Sequence, residues 1–286
     1  MKFAFIKESL NEYPVDVCCD VLDVSRSGYY AWRDRPESAQ KKRRELLATK
    51  VKTVFEENRS VYGSPRICEA LRAQGEIVNK KTIARSMKEL EIQAKTKKRF
   101  VPSTTDSNHA NPVVENVLDR DFSAQLPNQK WAVDITYIHT DQGWLYLAGV
   151  MDLCSRMIVG WSMADHMRTE LVTDAMQMAL ARRQPGGQLI HHSDRGIQYT
   201  SDDYMHLLQS QDIQPSMSGK GNCWDNAAME SFWATIKTEM VYREHYTTHD
   251  QARASIFEYI EVFYNRKRLH SSIGYKSPEA FEAGLN

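Results

Sequence analysis

Three acidic residues stand where chemistry is plausible, each in a different local setting. Asp194 follows Leu189-Ile190-His191-His192, a short apolar run ended by a polar turn and so a buried strand. Just past the carboxyl end of a strand is where open α/β sheets place their ligands. Glu230 comes after Asp225 and Asn226, which read as the cap of a helix running to about Glu239. Asn226, Glu230 and Lys237 share one face of that helix, because steps of four and seven residues come close to one and two turns. Asp134 interrupts the β-rich apolar run Trp131-Ala132-Val133-Asp134-Ile135-Thr136-Tyr137-Ile138, and burying a lone carboxylate is costly unless something pairs with it. Any single acid is more often an ordinary surface group. Three converging acids would repel one another unless a divalent cation lay between them, and hard oxygen ligands select Mg²⁺ or Mn²⁺.

With thirty-five residues between Asp194 and Glu230, the three acids resemble the DDE motif of retroviral integrases and bacterial insertion-sequence transposases. The flanking words are closer still to one large group. His192-Ser193-Asp194-Arg195-Gly196, Asp225-Asn226-Ala227, Glu230-Ser231-Phe232 and Ile236-Lys237-Thr238-Glu239 are similar to the second-reading-frame product of the frameshift-expressed insertion-sequence family. The similarity runs through nearly the whole chain. It implies that Asp134, Asp194 and Glu230 are both catalytic residues and metal ligands, holding two Mg²⁺ (or Mn²⁺) ions per active site about 4 Å apart on a phosphodiester. Water attack would nick the element's end, and the freed 3′-hydroxyl would attack another phosphodiester. Arg195 and Lys237 would hold phosphates, with Ser193 and Asn226 as supporting groups. His191 and His192 lack further partners for a zinc site and are expected to be buried or hydrogen-bonding histidines.

The elements that must position these groups follow from the pattern along the chain. Three strands, about Trp131–His139, Trp144–Asp152 and Arg156–Met163, form a meander with Asp141-Gln142-Gly143 as a hairpin turn. A helix near Thr169–Arg182 leads to the strand before Asp194, and a helix near Ser201–Gln211 leads to Ile213-Gln214-Pro215-Ser216. Composition alone says only α/β or α+β. The resemblance implies a ribonuclease H-like mixed sheet, preceded by an all-α helix-turn-helix region. Met217–Trp224 is polar and glycine-bearing, a mobile loop beside the site. Asp250–Arg266 reads as one amphipathic helix. It ends in a basic cluster in which Arg266 and Arg268 would either meet DNA or pin the tail to the core.

The front of the chain has a different character. Zero net charge over 286 residues conceals a division. Residues 1–100 hold 22 Lys and Arg against 14 Asp and Glu, and the remainder holds 15 against 23. A basic front beside an acidic, metal-ready back suits a DNA-binding arm on a nuclease-type core. Two short helices are expected between Tyr13 and Trp32, and a longer one from Ser38 to about Glu57. Pro65 to Gln74 makes a helix broken by Gly75. Asn79 caps the next one, which turns Ile83, Met87 and Leu90 inward and presents Lys80, Lys81, Arg85 and Lys88 outward, as a recognition helix requires. A basic and polar linker follows, with a short helix near Val113–Leu118.

The expected domains are a helix-turn-helix-like unit (1–36), a helical DNA-binding unit (37–94), a linker (95–125), the catalytic core (126–245) and a C-terminal helix and basic tail packed on the core (246–286). Five scattered cysteines without a CxxC pair suit free thiols, and no run approaches the ~20 apolar residues of a membrane span. A bacterial cytoplasmic, nucleoid-associated protein is expected. Its partners would be terminal inverted repeats and target DNA, further copies of itself, and the upstream-frame product that the family usually fuses to this one. Two rivals remain at this stage: a non-catalytic DNA-binding regulator, and a ribonuclease H-like nuclease without strand transfer.

Overall fold

The structure is a computed structural model that describes residues 1–9, 13–95, 114–219 and 223–285, with the backbone alone for Cys223 and Trp224. The chain divides into two compact units, Met1–Thr53 and Val54–Asn286.

In the first unit, α1 (Lys2–Ser9), α2 (Val15–Val21) and α3 (Arg26–Arg33) surround Ile6, Cys18, Cys19 and Tyr29. Pro14 precedes α2 with a φ of −63°, a residue that fits a helix start because it lacks an N–H to satisfy. Ser25 caps α3 by accepting from the Gly28 N–H at 3.1 Å. Ser38 does the same for α4 (Ala39–Glu57), accepting from Lys41 N.

The second unit opens on α5 (Ser64–Ala73) and α6 (Lys80–Glu89), which turn about Gly75 at φ +86°, a conformation glycine adopts without strain. Asn79 caps α6 through the Thr82 N–H, and Ile67, Leu71, Ile83 and Met87 are buried. The expected Lys97-Lys98-Arg99 linker lies outside the described residues, as does Val113. From 114 to 118 there is no helix: the N–H groups of Val117 and Leu118 both donate to Ser216 Oγ, and Leu118 is buried, so this segment is strapped to the sheet.

The sheet comprises β1 (Lys130–Thr140), β2 (Gly143–Asp152), β3 (Ile158–Ala164), β4 (Ile190–Ser193) and β5 (Gln214–Met217), ordered β3-β2-β1-β4-β5. The first three strands are antiparallel, and β4 and β5 add in parallel, giving the ribonuclease H-like arrangement. On one face lies α7 (Thr169–Arg183), against β3 at Gly160, where a Cβ would stand 2.2 Å from the Ala175 carbonyl oxygen. Helix α8 (Asp202–Ser210) joins β4 to β5 and adds Tyr204 and Leu208 to the same core. On the other face lies α9 (Ala227–Glu239), whose Trp233 occupies the space a side chain at Gly149 would fill.

The expected single helix over 250–266 divides into two forms. Helix α10 (His249–Phe257) passes into a wider π-type stretch, Glu258–Tyr264. Asn265 N donates five residues back to Ile260 O, and the Asn265 side chain bonds both backbone groups of Ile158 on edge strand β3. Satisfying the sheet edge accounts for the altered winding. A final helix, α11 (Pro278–Ala283), closes the chain.

Candidate active site

Strand β1 pairs with β4 only through Lys130, Trp131 and Ala132. Beyond that point the two strands part, and the opening between them receives Asp134 from β1 and Asp194 from the residue after β4. Asp134 stands opposite Gly149 on β2, and the absence of a side chain there admits Trp233 from α9. The indole N–H of Trp233 donates to Asp134 Oδ2 at 3.0 Å, and the Ile135 N–H donates to Oδ1 at 2.8 Å. Trp233 lies three residues after Glu230 on α9, so one helix supplies both the third acid and a clamp on the first.

Electrostatics reports the same convergence. Burial first, then the charges of Asp194 and Glu230, push the Asp134 carboxyl up to about 8, against the lowering effect of its two N–H donors. Its side chain is half-buried, leaving access from solvent, and Glu230 is exposed. Among the described residues no three His, Cys, Asp or Glu side chains stand at ligating spacing.

Lys237 leans back along α9 toward this opening. Its Nζ lies 4.8 Å from the centre of the Tyr137 ring, a cation–π contact. Burial lowers its pKa, while the Asp134 charge acts in the opposite sense. Gly196 N donates to Asp194 Oδ1 at 2.9 Å, the Ser193 hydroxyl donates to Asp194 O, and Arg195 Nε donates to Ser218 O at 2.7 Å. These bonds order the turn that carries Asp194. The expected mobile loop begins with Met217 and Ser218 ordered beside β4; Lys220-Gly221-Asn222 lies outside the described residues.

Several sequence expectations need correction. Asn226 holds the N-cap position of α9 but its side chain makes no cap bond, and Asp225 lies one residue ahead of it. A short 3₁₀ turn, Cys223–Asn226, precedes it, and Asn226 Nδ2 donates instead to Val133 O on β1, fixing the helix start against the strand beside Asp134. Asp225 is buried and accepts from Arg120 Nε at 2.8 Å, Asn116 Nδ2 at 3.1 Å and Gly219 N at 2.9 Å. Arg268 is not available to DNA. It is buried as a fork on Glu239, at 2.9 and 2.7 Å, because a guanidinium out of water needs a carboxylate partner. Arg266 remains exposed, as do Lys80, Lys81, Arg85 and Lys88 on α6. His191 and His192 are buried; Nε2 of His191 meets the Tyr204 hydroxyl, and His192 lies between Ser216 and Ser218.

Two contributors were missed in the sequence, Trp233 and Tyr199, and Asp225 was read there only as a helix cap. The Tyr199 hydroxyl is buried close to Asp134 and Asp194, whose charges add to burial in raising its pKa. Only Trp233 left a signal, its i+3 spacing from Glu230.

Residues 41–100 match the family described as HTH-like domain, and residues 124–223 and 211–278 match two families described as Integrase core domain. The transposase InsF for insertion sequence IS3A of Escherichia coli (strain K12) is 45% identical over 284 residues, covering 99% of this chain and 98% of that protein. A 31 kDa protein of insertion element IS600 from Shigella sonnei is 44% identical, covering 92% and 96% respectively. Among solved structures, the simian T-cell lymphotropic virus intasome aligns with a TM-score of 0.48 at 14% identity, over 75% of this chain and 69% of that one. The HTLV-2 integrase catalytic core in complex with magnesium aligns at 0.43 and 16% identity, over 56% of this chain and 99% of that one.

Proposed function

This chain belongs to the insertion-sequence transposases represented by InsF of IS3, and we propose that it binds the ends of such an element, nicks them and joins the freed 3′-hydroxyl to another phosphodiester. The observation that supports the chemical part is that the charges of Asp194 and Glu230 add to burial in raising the Asp134 carboxyl, which brings the three acids within electrostatic reach of one another.

An all-carboxylate donor set of this kind fits Mg²⁺ or Mn²⁺, and the repulsion it carries is the property a divalent cation relieves. Asp134, Asp194 and Glu230 would hold two such ions. Ions held by these residues would supply activation of the attacking oxygen and stabilisation of the leaving one. The chain's own groups do the rest. Trp233 and the Ile135 N–H fix the Asp134 carboxylate, and Gly196 N fixes that of Asp194. Asn226 anchors the start of the helix that brings Glu230. Lys237, beside Tyr137 and facing Asp134, holds the phosphate next to the scissile one. Arg195 holds another.

The helical unit at 37–94 supplies affinity for DNA ends through Lys80, Lys81, Arg85 and Lys88 on the outer face of α6, with Arg266 adding a contact from the tail. Phosphate neutralisation gives affinity, and base reading comes from the same few side chains. The core at 126–245 performs the chemistry on terminal inverted repeats and target DNA. Assembly of further copies on DNA, and pairing with an upstream-frame product, complete the reading, which places the protein at the bacterial nucleoid.

Incubating end DNA labelled on one strand with Mg²⁺ tests this. Joined products in addition to nicked ones are the expected outcome. Nicks without joining leave a plain nuclease, and bound but intact DNA leaves a regulator.

A further inference from the structure

A second cavity of about 360 Å³ lies against a different face of α9. Ala227, Ala228, Ser231, Phe232 and Thr235 line it from the helix. At 100° per residue, Glu230 points roughly 130° away from the centre of that face. The cavity is therefore separate from the opening that gathers the three acids, with the thickness of the helix between them.

The other walls mix cationic, aromatic and small groups: Arg66, Arg156 and Arg268, with Phe122, Tyr264 and His270, and Met151, Ser271 and Ser272. The three arginines are not equivalent. Arg268 is neutralised by its fork on Glu239, which also accepts from the Tyr259 hydroxyl. Arg66 donates Nε to Leu269 O at 2.9 Å and has no acidic partner among the described residues. Arg156, in the turn between β2 and β3, is half-buried and makes no side-chain hydrogen bond or ion pair among the described residues. The nearest acid to it in sequence, Asp152, is already engaged by the N–H groups of Asn128, Cys154 and Ser155. Burial opposes the charge on both Arg66 and Arg156. Two guanidinium groups thus face one cavity with no carboxylate in an ion pair with either among the described residues, though the charges of Glu239 and Asp152 reach them. Serine and threonine hydroxyls and aromatic rings complete the lining.

We propose that this cavity is a DNA-phosphate pocket, receiving a backbone phosphate of the bound DNA remote from the scissile bond, with Arg156 and Arg66 as its charged donors. A planar guanidinium matches two phosphate oxygens at once, and a partly dehydrated pair of them favours a group carrying a full negative charge. Phe122, half-buried, suits the sugar attached to that phosphate. Because α9 separates this pocket from Glu230, it grips a different stretch of DNA from the one being cut, and the helix is held between the two. The proposal rests on the transposase reading.

The test uses the full chain and a labelled duplex bearing an element end, titrated across a salt series. Arg156→Gln is expected to weaken binding about tenfold and to lower the slope of log affinity against log salt by about 0.9, one phosphate contact. Arg156→Lys should keep the slope. Should Arg156→Gln fail to fold, as judged from its thermal midpoint, Ser231→Glu decides alone. It sets a carboxylate at the rim from an exposed position and should weaken binding where Ser231→Gln does not. Unchanged affinity and slope in Arg156→Gln and Ser231→Glu overturn the pocket. So does a thermal midpoint raised by inorganic phosphate or dAMP in the wild type alone with DNA binding unaffected, since the site then takes free phosphate. Mg²⁺-dependent nicking of the same duplex is scored in parallel. Nicking that persists beside unaltered binding removes the pocket only, whereas no nicking by the wild type counts against the transposase reading itself.

Discussion

Glu230 and Glu239 lie on the same thirteen-residue helix, and the molecule treats them in opposite ways. Glu239 is buried with its charge fully answered: Arg268 forks onto both carboxylate oxygens and Tyr259 donates a third bond. Burial works against the Arg268 charge, and Glu239 more than restores it, leaving the guanidinium held above its usual pKa. Glu230 is exposed and adds its charge to a carboxyl already raised by burial and by Asp194. One end of α9 holds a closed ion pair that fastens helix to tail. The other brings like charges together. An answered charge maintains a fold, and like charges brought together mark where a ligand is expected.

The largest effect expected from breaking this contrast is on the closed side. Glu239→Ala strands the Arg268 guanidinium in the interior and should cost about 3–5 kcal/mol of stability by denaturant unfolding. Replacing both partners, Glu239→Met with Arg268→Met, should recover most of it. A loss under 1 kcal/mol for the single change would show that the pair is not buried as described.

On the open side, Lys237→Ala should slow end-DNA cleavage about 10- to 100-fold, a loss of about 1.4–2.8 kcal/mol in transition-state stabilisation. Its thermal midpoint should barely move. A midpoint falling in step with the rate would make Lys237 a packing residue of the Tyr137 contact.

The closed side also carries a pH signature. Burial first, then Arg268, Arg66 and Arg156, hold the His270 pKa down to about 2 from 6.5. A lowered histidine is neutral in the fold and protonated in the unfolded chain below about 6.5. The stability it contributes is present above that pH and is lost as pH falls below it. His270→Gln should flatten the acid limb of stability between about pH 6 and 4 by up to about 1.4 kcal/mol per pH unit. An unaltered slope would mean that other groups carry the acid sensitivity.

The smallest effect has the opposite sign. The Asp134 carboxyl is raised to about 8 from 3.8, so its contribution to stability is present below about 3.8 and is lost as pH rises through 8. Asp134→Asn should therefore stabilise the metal-free chain increasingly over that window, read as a rise in thermal midpoint that is greatest at its alkaline end. A destabilisation that grows with pH would contradict the convergence of the acids.

The same contrast explains what the sequence revealed. Strand alternation, the Asp141-Gln142-Gly143 hairpin and the Asn79 cap are local signals, and the elements they predict are present. Asp134 stood out because a carboxylate in a β-rich run demands a reason. Arg268 could not be sorted from Arg266 because both sit in one basic cluster, and only burial against Glu239, twenty-nine residues away, separates them. Asp225 looked like a helix cap because its partners, Arg120 and Asn116, lie more than a hundred residues upstream. The π-type winding before Asn265 answers an edge strand that no local pattern announces.

The most direct test of the central claim compares two substitutions on one helix in one assay. Mg²⁺-dependent cleavage of labelled end DNA is measured for Glu230→Gln and Glu239→Gln, each at a temperature where circular dichroism shows it folded. The account predicts that Glu230→Gln binds DNA with an unlowered thermal midpoint and does not cut, while Glu239→Gln is less stable and still cuts. Cleavage near the wild-type rate by Glu230→Gln would contradict it.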